Sequence, residues 1–234
     1  MNRILELFFP KDCKCVFCGR ETRRYGICEE CYSHLPFVTG KVCSVCGASN
    51  PSRSSVCIEC KGRDFAFKRN ISILDYDGEV RRKIVSFKQE GNKYIGRAFA
   101  WLVADKINEL DLDIDFIIPM PISDERLKER GFNQTEVLCE LLDKDLVRTD
   151  ILIRVKNTPH QTGLSRENRE TNLKSAFKVL DKKVVKGKKI LLIDDIYTTG
   201  STLNESAETL LKAGASEVYT LTLARSPIRN CFEK

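Results

Sequence analysis

The chain has 234 residues, with 39 Lys and Arg against 33 Asp and Glu, only 2 His, and a formal net charge of +6. Hydrophobic residues make up 42% and charged residues 31%, which excludes wholesale disorder and supplies enough apolar material for a packed core. Two His leave little room for a His-rich metal site or a His-driven acid–base mechanism, and the net charge is only a mild bias toward phosphates or polyanions.

At about 150 residues per domain, this length allows one large domain, or one domain with a smaller module. The composition changes near residue 67 and predicts the second arrangement, a module over 1–67 and an α/β domain over 68–234. Nine of the eleven cysteines lie between Cys13 and Cys60, and only Cys139 and Cys231 lie outside. The first ten residues do not read as a secretory signal, because Glu6 interrupts their apolar run and Pro10 ends it. No apolar stretch approaches the ~20 residues that span a bilayer. The expected setting is a reducing cytoplasm with no membrane insertion, where clustered thiols hold metal more often than disulfides.

Eight of the clustered cysteines form four Cys-x-x-Cys pairs: Cys15/Cys18, Cys28/Cys31, Cys43/Cys46 and Cys57/Cys60. Two residues between thiolates let one turn aim both sulfurs at one ion, and two such turns complete a tetrahedron. Gly19 and Gly47 follow the second Cys of their pairs, where a left-handed residue is expected. The sequential assignment places Cys15, Cys18, Cys28 and Cys31 on one Zn²⁺ and Cys43, Cys46, Cys57 and Cys60 on another. Interleaved pairing, or a single filled site, stays open at this stage. A four-sulfur site is closed, so its expected role is structural: it supplies folding energy that some 65 residues with a thin core lack. Cys13 is a spare, and Cys139 reads as core.

Beyond the module, 71–76 reads as a strand, 94–110 as a helix, 116–119 as a short buried strand and 134–142 as a helix. Residues 150–155 read as a strand, and 189–193 is apolar on both faces. The helix over 203–213, closed by Gly214, leads to a strand over 218–223. This alternation predicts a mostly parallel sheet covered by helices, with ligands at the carboxyl ends of its strands.

The chemistry concentrates between the apolar strand and the last helix, in Asp194-Asp195-Ile196-Tyr197-Thr198-Thr199-Gly200-Ser201-Thr202. Two carboxylates at the end of a buried strand are costly without a ligand. Small and hydroxylated residues around Gly200 lead into a helix N-terminus, where backbone N–H groups, hydroxyls and the helix dipole favour a phosphate. Asp194 and Asp195 are placed to accept hydrogen bonds from sugar hydroxyls just beyond it. The loop lacks the Gly-Lys-Ser/Thr of a Walker sequence and the Gly-x-Gly-x-x-Gly of a dinucleotide loop.

Residues 191–202 resemble the signature with which type I phosphoribosyltransferases bind 5-phosphoribosyl 1-pyrophosphate (PRPP). Coupled to the Cys-x-x-Cys module, the whole chain is similar to the ComF family (competence protein F and its GntX-type relatives). Phe87-Lys88 followed by Gly91, Pro119-Met120-Pro121, Arg130-Gly131-Phe132-Asn133-Gln134, and the run from Gln161 through Arg166 to Asn172-Leu173-Lys174 agree with it.

The resemblance implies a type I phosphoribosyltransferase-like fold with an N-terminal double zinc ribbon. It implies the 5-phosphate on Thr198, Thr199, Gly200, Ser201 and Thr202, and Asp194 and Asp195 as the catalytic carboxylates. Pro121 and Arg126 would touch pyrophosphate, and a lid over 157–172 would carry Arg166 and Arg169. Arg130 would lie near the ligand, and Mg²⁺ would accompany PRPP. A role in DNA uptake is also implied, with other competence proteins as partners. The alternative is a non-catalytic factor that binds single-stranded DNA through the basic stretch Arg81, Arg82, Lys83, Lys88, Lys93 and Arg97.

Overall fold

The computed structural model describes residues 14–22, 25–50, 52–155 and 176–228. Helix α1 (Glu29–Ser33) belongs to the cysteine module. Strand β1 (Asn70–Asp75) is followed by helices α2 (Gly78–Glu90) and α3 (Lys93–Glu109) and by strand β2 (Phe116–Pro119). Two short helices, α4 (Asp124–Arg130) and α5 (Gln134–Leu138), precede β3 (Leu152–Arg154) and β4 (Phe177–Val179). The chain then runs through α6 (Lys182–Val185), β5 (Lys189–Tyr197), α7 (Ser201–Lys212) and β6 (Glu217–Arg225). Strands β1, β6, β5 and β2 form one sheet in that order, parallel throughout.

The expected strands and long helices are present, with differences in their extent and pairing. Residues 78–90 form a helix that the sequence reading left as a basic stretch. Val80, Ile84 and Phe87 recur at helical spacing and are buried, the Asp77 side chain caps the start, and Gly91 ends it in the left-handed region. The helix expected over 134–142 stops at Leu138 and continues as turns. The strand expected over 150–155 shortens to β3 and pairs antiparallel with β4, outside the parallel sheet.

Along β5 the alternation of side chains divides the interior in two. Ile190 and Leu192 pack in one core with α7, β3, β4 and the second set of cysteines. Leu191 and Ile193 pack in the other with α2, α3, α5 and the apolar residues of the first ribbon, Val16, Ile27 and Leu35. The two ribbons thus sit on opposite faces of the sheet. The chain between them covers the free edge of β1, where Val38 N donates to Ile73 O and Asp75 N to Pro36 O. That edge is closed against further pairing.

Gly96 marks the closest approach of α3 to α2 and α5. A Cβ there would lie 2.5 Å from Phe87 Cε2 and 2.7 Å from Val137 Cγ1, both on buried side chains. Gly96→Ala is expected to cost about 2 kcal/mol by overpacking, read as a lower urea midpoint at unchanged m-value.

Candidate functional site

The site begins with β5. Ile190 to Ile193 are buried on both faces, and the strand runs on through Asp194 and Asp195, pairing as far as Tyr197 with Arg225. The expected strand end at Ile193 is therefore four residues short: the carboxylates stand within the last turns of the strand, held by its ladder. Asp194 is half-buried, and its carboxylate accepts from Asp195 N at 2.8 Å. Burial, then the charge of Asp195, pushes the Asp194 pKa up to about 7. Asp195 is buried, with Lys88 Nζ of α2 2.8 Å from its Oδ2, at an angle that makes an ion pair and not an aligned hydrogen bond.

Past Tyr197 the chain turns through Thr198 and Thr199 into Gly200, which sits at φ +76° before α7 starts at Ser201. Gly200 O accepts from Asn204 N, and Thr199 O accepts from Arg63 Nη1 at 3.1 Å, so both carbonyls are engaged. Thr199 Oγ1 and Ser201 Oγ lie 2.9 Å apart. The N-cap of this 12-residue helix, Gly200, has no side chain to cap it, and Ser201 N makes only a long 3.4 Å hydrogen bond to Thr199 Oγ1. A helix start held this loosely can offer its N–H groups to an anion.

Facing the strand ends is a basic wall. Met120, Pro121 and Ile122 follow β2, and Met120 O accepts from Thr135 Oγ1 at 2.7 Å and from Asn133 Nδ2 at 3.2 Å. Arg126 and Arg130 project from α4, and Arg130 Nη1 donates to Gln134 Oε1 of α5 at 3.0 Å. Arg154 comes from β3. With Lys88, Asp194, Asp195 and Thr202 these residues line a cavity of about 140 Å³. Four cations (Lys88, Arg126, Arg130, Arg154) face two carboxylates, an excess of two positive charges once both acids are ionised. Burial, then the charge of Arg126, lowers the pKa of both Arg130 and Arg154. Such crowding is relieved by an anionic ligand.

The structure brings Asp194, Asp195, Thr202, Pro121, Arg126 and Arg130 into one cavity, with Thr198 to Ser201 on the adjoining loop. Arg166 and the rest of the expected lid over 157–172 lie outside the described residues, as do Cys13 and Cys231. Arg154 and Gln134 line the cavity without having been assigned to it by the sequence reading. An arginine inside the apolar run Ile151-Leu152-Ile153-Arg154-Val155 was the available signal, because a cation there needs a partner. Lys88 stood in the basic stretch, and the structure divides that stretch. Lys88 enters the cavity, Arg82 pairs with Glu79, and Arg97 Nε lies 3.7 Å from Glu140.

The eight paired cysteines gather sequentially, Cys15, Cys18, Cys28 and Cys31 in one group and Cys43, Cys46, Cys57 and Cys60 in the other. Within each group the ligand atoms all lie within 4.8 Å of one another, and none of these cysteines is in a disulfide. Cys18 Sγ to Cys28 Sγ and Cys46 Sγ to Cys57 Sγ both measure 3.7 Å. A sulfur tetrahedron around zinc at about 2.3 Å has edges of about 3.8 Å, so both groups fit the ion. All four thiols of the second group are buried, and Cys18 of the first is exposed.

Comparison with known proteins agrees with both halves of this description. A double zinc ribbon domain model matches residues 4–61, and a phosphoribosyl transferase domain model matches residues 130–231. Competence protein ComFC of Bacillus subtilis (strain 168) is 33% identical over 208 residues, covering 86% of this chain and 84% of its own. Competence protein F of Haemophilus influenzae is 30% identical over 225 residues, covering 91% and 97%.

The chain belongs to the ComF family.

Another ComF-like relative, DNA utilization protein YhgH of Escherichia coli (strain K12), is 30% identical over 211 residues and covers 86% of this chain and 91% of its own. Overlap of this ComF-family chain with solved structures is partial. Glutamine PRPP amidotransferase from B. subtilis is 20% identical, with TM-score 0.36, over 55% of this chain and 26% of that one. The chain itself combines a phosphoribosyl transferase-type domain, built on a parallel sheet, with two four-cysteine sites of zinc-ribbon type. Among the described residues no helix is long and apolar enough to cross a membrane.

Proposed function

We propose that this ComF-family chain binds PRPP with Mg²⁺ and acts as a phosphoribosyltransferase in the handling of incoming DNA. One observation supports this most: the carboxylates of Asp194 and Asp195 stand between a helix N-terminus that begins on Gly200 and a basic wall. The open N–H groups around Thr198 to Thr202 take the 5-phosphate. Asp194 and Asp195 accept the ribose hydroxyls, and Arg126, Arg130 and Arg154 hold pyrophosphate. Mg²⁺, when bound with PRPP, neutralises pyrophosphate oxygens, and Asp194 and Asp195 are the hard oxygen donors within reach.

In the reaction the bond from ribose C1 to pyrophosphate oxygen breaks, its electron pair leaves with pyrophosphate, and a nitrogen nucleophile adds to C1. Positive charge develops on the ribose as the bond lengthens, as in glycoside cleavage. Asp194 and Asp195, holding the ribose hydroxyls, would stabilise that charge, and the arginines would stabilise the departing anion. No side-chain nucleophile is required. The names of the relatives, competence protein and DNA utilization protein, support DNA uptake as the setting, with competence proteins as partners. Reduced thiols and PRPP both belong to the cytoplasm, where we place the chain.

Calorimetric titration with PRPP tests the reading. One PRPP per chain is expected with Mg²⁺ present and much weaker heat without it. No heat at millimolar PRPP with Mg²⁺ sinks the proposal. The same protein titrated with single-stranded DNA at rising salt tests the alternative, for which a steep salt slope is the signature. No observation gathers the basic residues for that role, since Arg82, Lys88 and Arg97 each face an acidic partner.

A further inference from the structure

The second four-cysteine centre lies directly behind the phosphate loop, and four contacts join them. Arg63, three residues beyond Cys60, donates from Nη1 to Thr199 O at 3.1 Å. A trans peptide points its C=O and N–H in opposite directions, so this grip turns the Gly200 N–H away from the ribbon and toward the open side of the loop. Ala66 N donates to Asn204 Oδ1 in the first turn of α7 at 2.7 Å. The Phe67 ring meets Tyr197 edge-on, with centroids 6.4 Å apart.

The fourth contact runs through Arg225 at the end of β6, a side chain only 1% exposed. Its Nε donates to Cys46 Sγ at 3.4 Å, its Nη2 pairs with Glu59 Oε2 at 2.6 Å, and its guanidinium lies 5.0 Å from the Tyr197 ring centroid. Tyr197 in turn fills the space beneath the loop. A Cβ at Gly200 would lie 2.3 Å from Tyr197 Oη, so the ring and the glycine backbone are in closest contact. Cys46, Arg225, Tyr197 and Gly200 thus form one packed column from a cysteine ligand to the loop.

The first centre offers a matched contrast. Arg20 Nε also donates to a cysteine sulfur, Cys18 Sγ, at 3.4 Å, but that ribbon packs into the core on the opposite face of the sheet.

We infer that the second four-cysteine centre sets the shape of the phosphate loop, with Arg63 and Arg225 as its positioning residues. The inference rests on the reading of that loop as the 5-phosphate site. With metal bound, Cys46 is a thiolate and the Arg225 hydrogen bond to it is charge-assisted. Loss of metal there releases Arg225, then Tyr197, then the loop above it.

Amide exchange of the ligand-free protein, zinc content and PRPP calorimetry test this together. Arg63→Ala is expected to retain two zinc ions per chain, one for each cysteine group, and an unchanged urea midpoint. It should raise exchange over residues 198–203 and weaken PRPP binding, each by about tenfold or more. Arg63→Lys, which keeps a cationic donor, restores much of both. Arg225→Gln gives the same loop signature, and Arg20→Ala leaves loop exchange and PRPP affinity at wild-type values. If Arg225→Gln does not fold, Arg63→Ala alone decides. Unchanged loop exchange in Arg63→Ala overturns the inference. Exchange is read without ligand, so a wild-type chain that takes no PRPP while Arg63→Ala loosens the loop overturns the functional reading and supports the positioning role.

Discussion

Asp194→Asn is expected to lose Mg²⁺-dependent PRPP binding and, at the same time, to stabilise the ligand-free protein above pH 7. The loss follows from the proposed contact: a carboxylate accepting from ribose hydroxyls contributes more than a neutral amide, and about 100-fold or more in affinity is expected to go. The gain follows from linkage. Burial, then the charge of Asp195, raises the folded pKa of Asp194 to about 7, against about 3.9 for an unfolded Asp. Between those values the folded chain holds more protons than the unfolded chain, so stability falls as pH rises. The penalty is absent below about pH 4 and complete above about pH 7. Its upper bound is roughly 4 kcal/mol, and because Asp194 is only half-buried and solvent screens part of the cost, a gain on the order of 2 kcal/mol is expected for the Asn variant at pH 8. Urea midpoints of both proteins at pH 4 and pH 8 measure it. A variant that is no more stable than wild type at pH 8 would falsify the account of Asp194 as a destabilising, ligand-directed group.

Removing metal carries the other large effect, and it should differ between the two centres. A structural zinc contributes on the order of 10 kcal/mol to a small domain at neutral pH. At the second centre the four thiols are buried inside the core shared with β5, α7, β3 and β4. Hydrogen bonds from Cys46 and Cys60 hold the Cys43 pKa far below the usual thiol value, while burial pushes Cys57 up to about 11 and neighbouring sulfurs drive Cys60 higher still. At the first centre Cys18 is exposed, and the Arg20 hydrogen bond brings its pKa down to about 6. Cys57→Ser is therefore expected to lower the thermal midpoint far more than Cys18→Ser, by 10 °C or more on a rough scale of about 3 °C per kcal/mol. Scanning calorimetry with zinc analysis on each variant checks this. Equal losses from the two substitutions would show that the ribbons contribute alike, against the difference in their burial. Acidification should release metal from both centres, because the ligands bind only as thiolates.

Much of this molecule was legible because its signals are local. The strand over residues 116–119 and the both-faces-apolar run of β5 show their burial in a few consecutive residues. The cysteine pairs declare a ligand set through spacing alone, and the sequential grouping is what two adjacent knuckles can reach without crossing. The 194–202 segment carries carboxylates, turn and helix start in nine residues. Where the reading fell short, a local signal was outweighed by another. The helix over 78–90 was masked by its charges, although Val80, Ile84 and Phe87 give its inner face. The β3 strand looked like a member of the parallel sheet, because a short apolar run does not say which partner it pairs with.

The cavity itself belongs to the other category. Lys88, Arg130, Arg154 and Asp195 come from four separate elements, and only the strand order and the placement of β3 beside it bring them around one space of about 140 Å³. The same holds for Arg63 and Arg225, which reach the phosphate loop from the ribbon and from the neighbouring strand. By itself the sequence determined the elements, the two cysteine sets and the 198–202 loop before the last helix, since each depends on residues within a turn or two of one another. Only the tertiary structure decided which cations face the carboxylates and which ribbon backs the loop. Those contacts join residues as far apart as 179 positions, as in Arg225 to Cys46, and the parallel register of the sheet, not any local window, sets them.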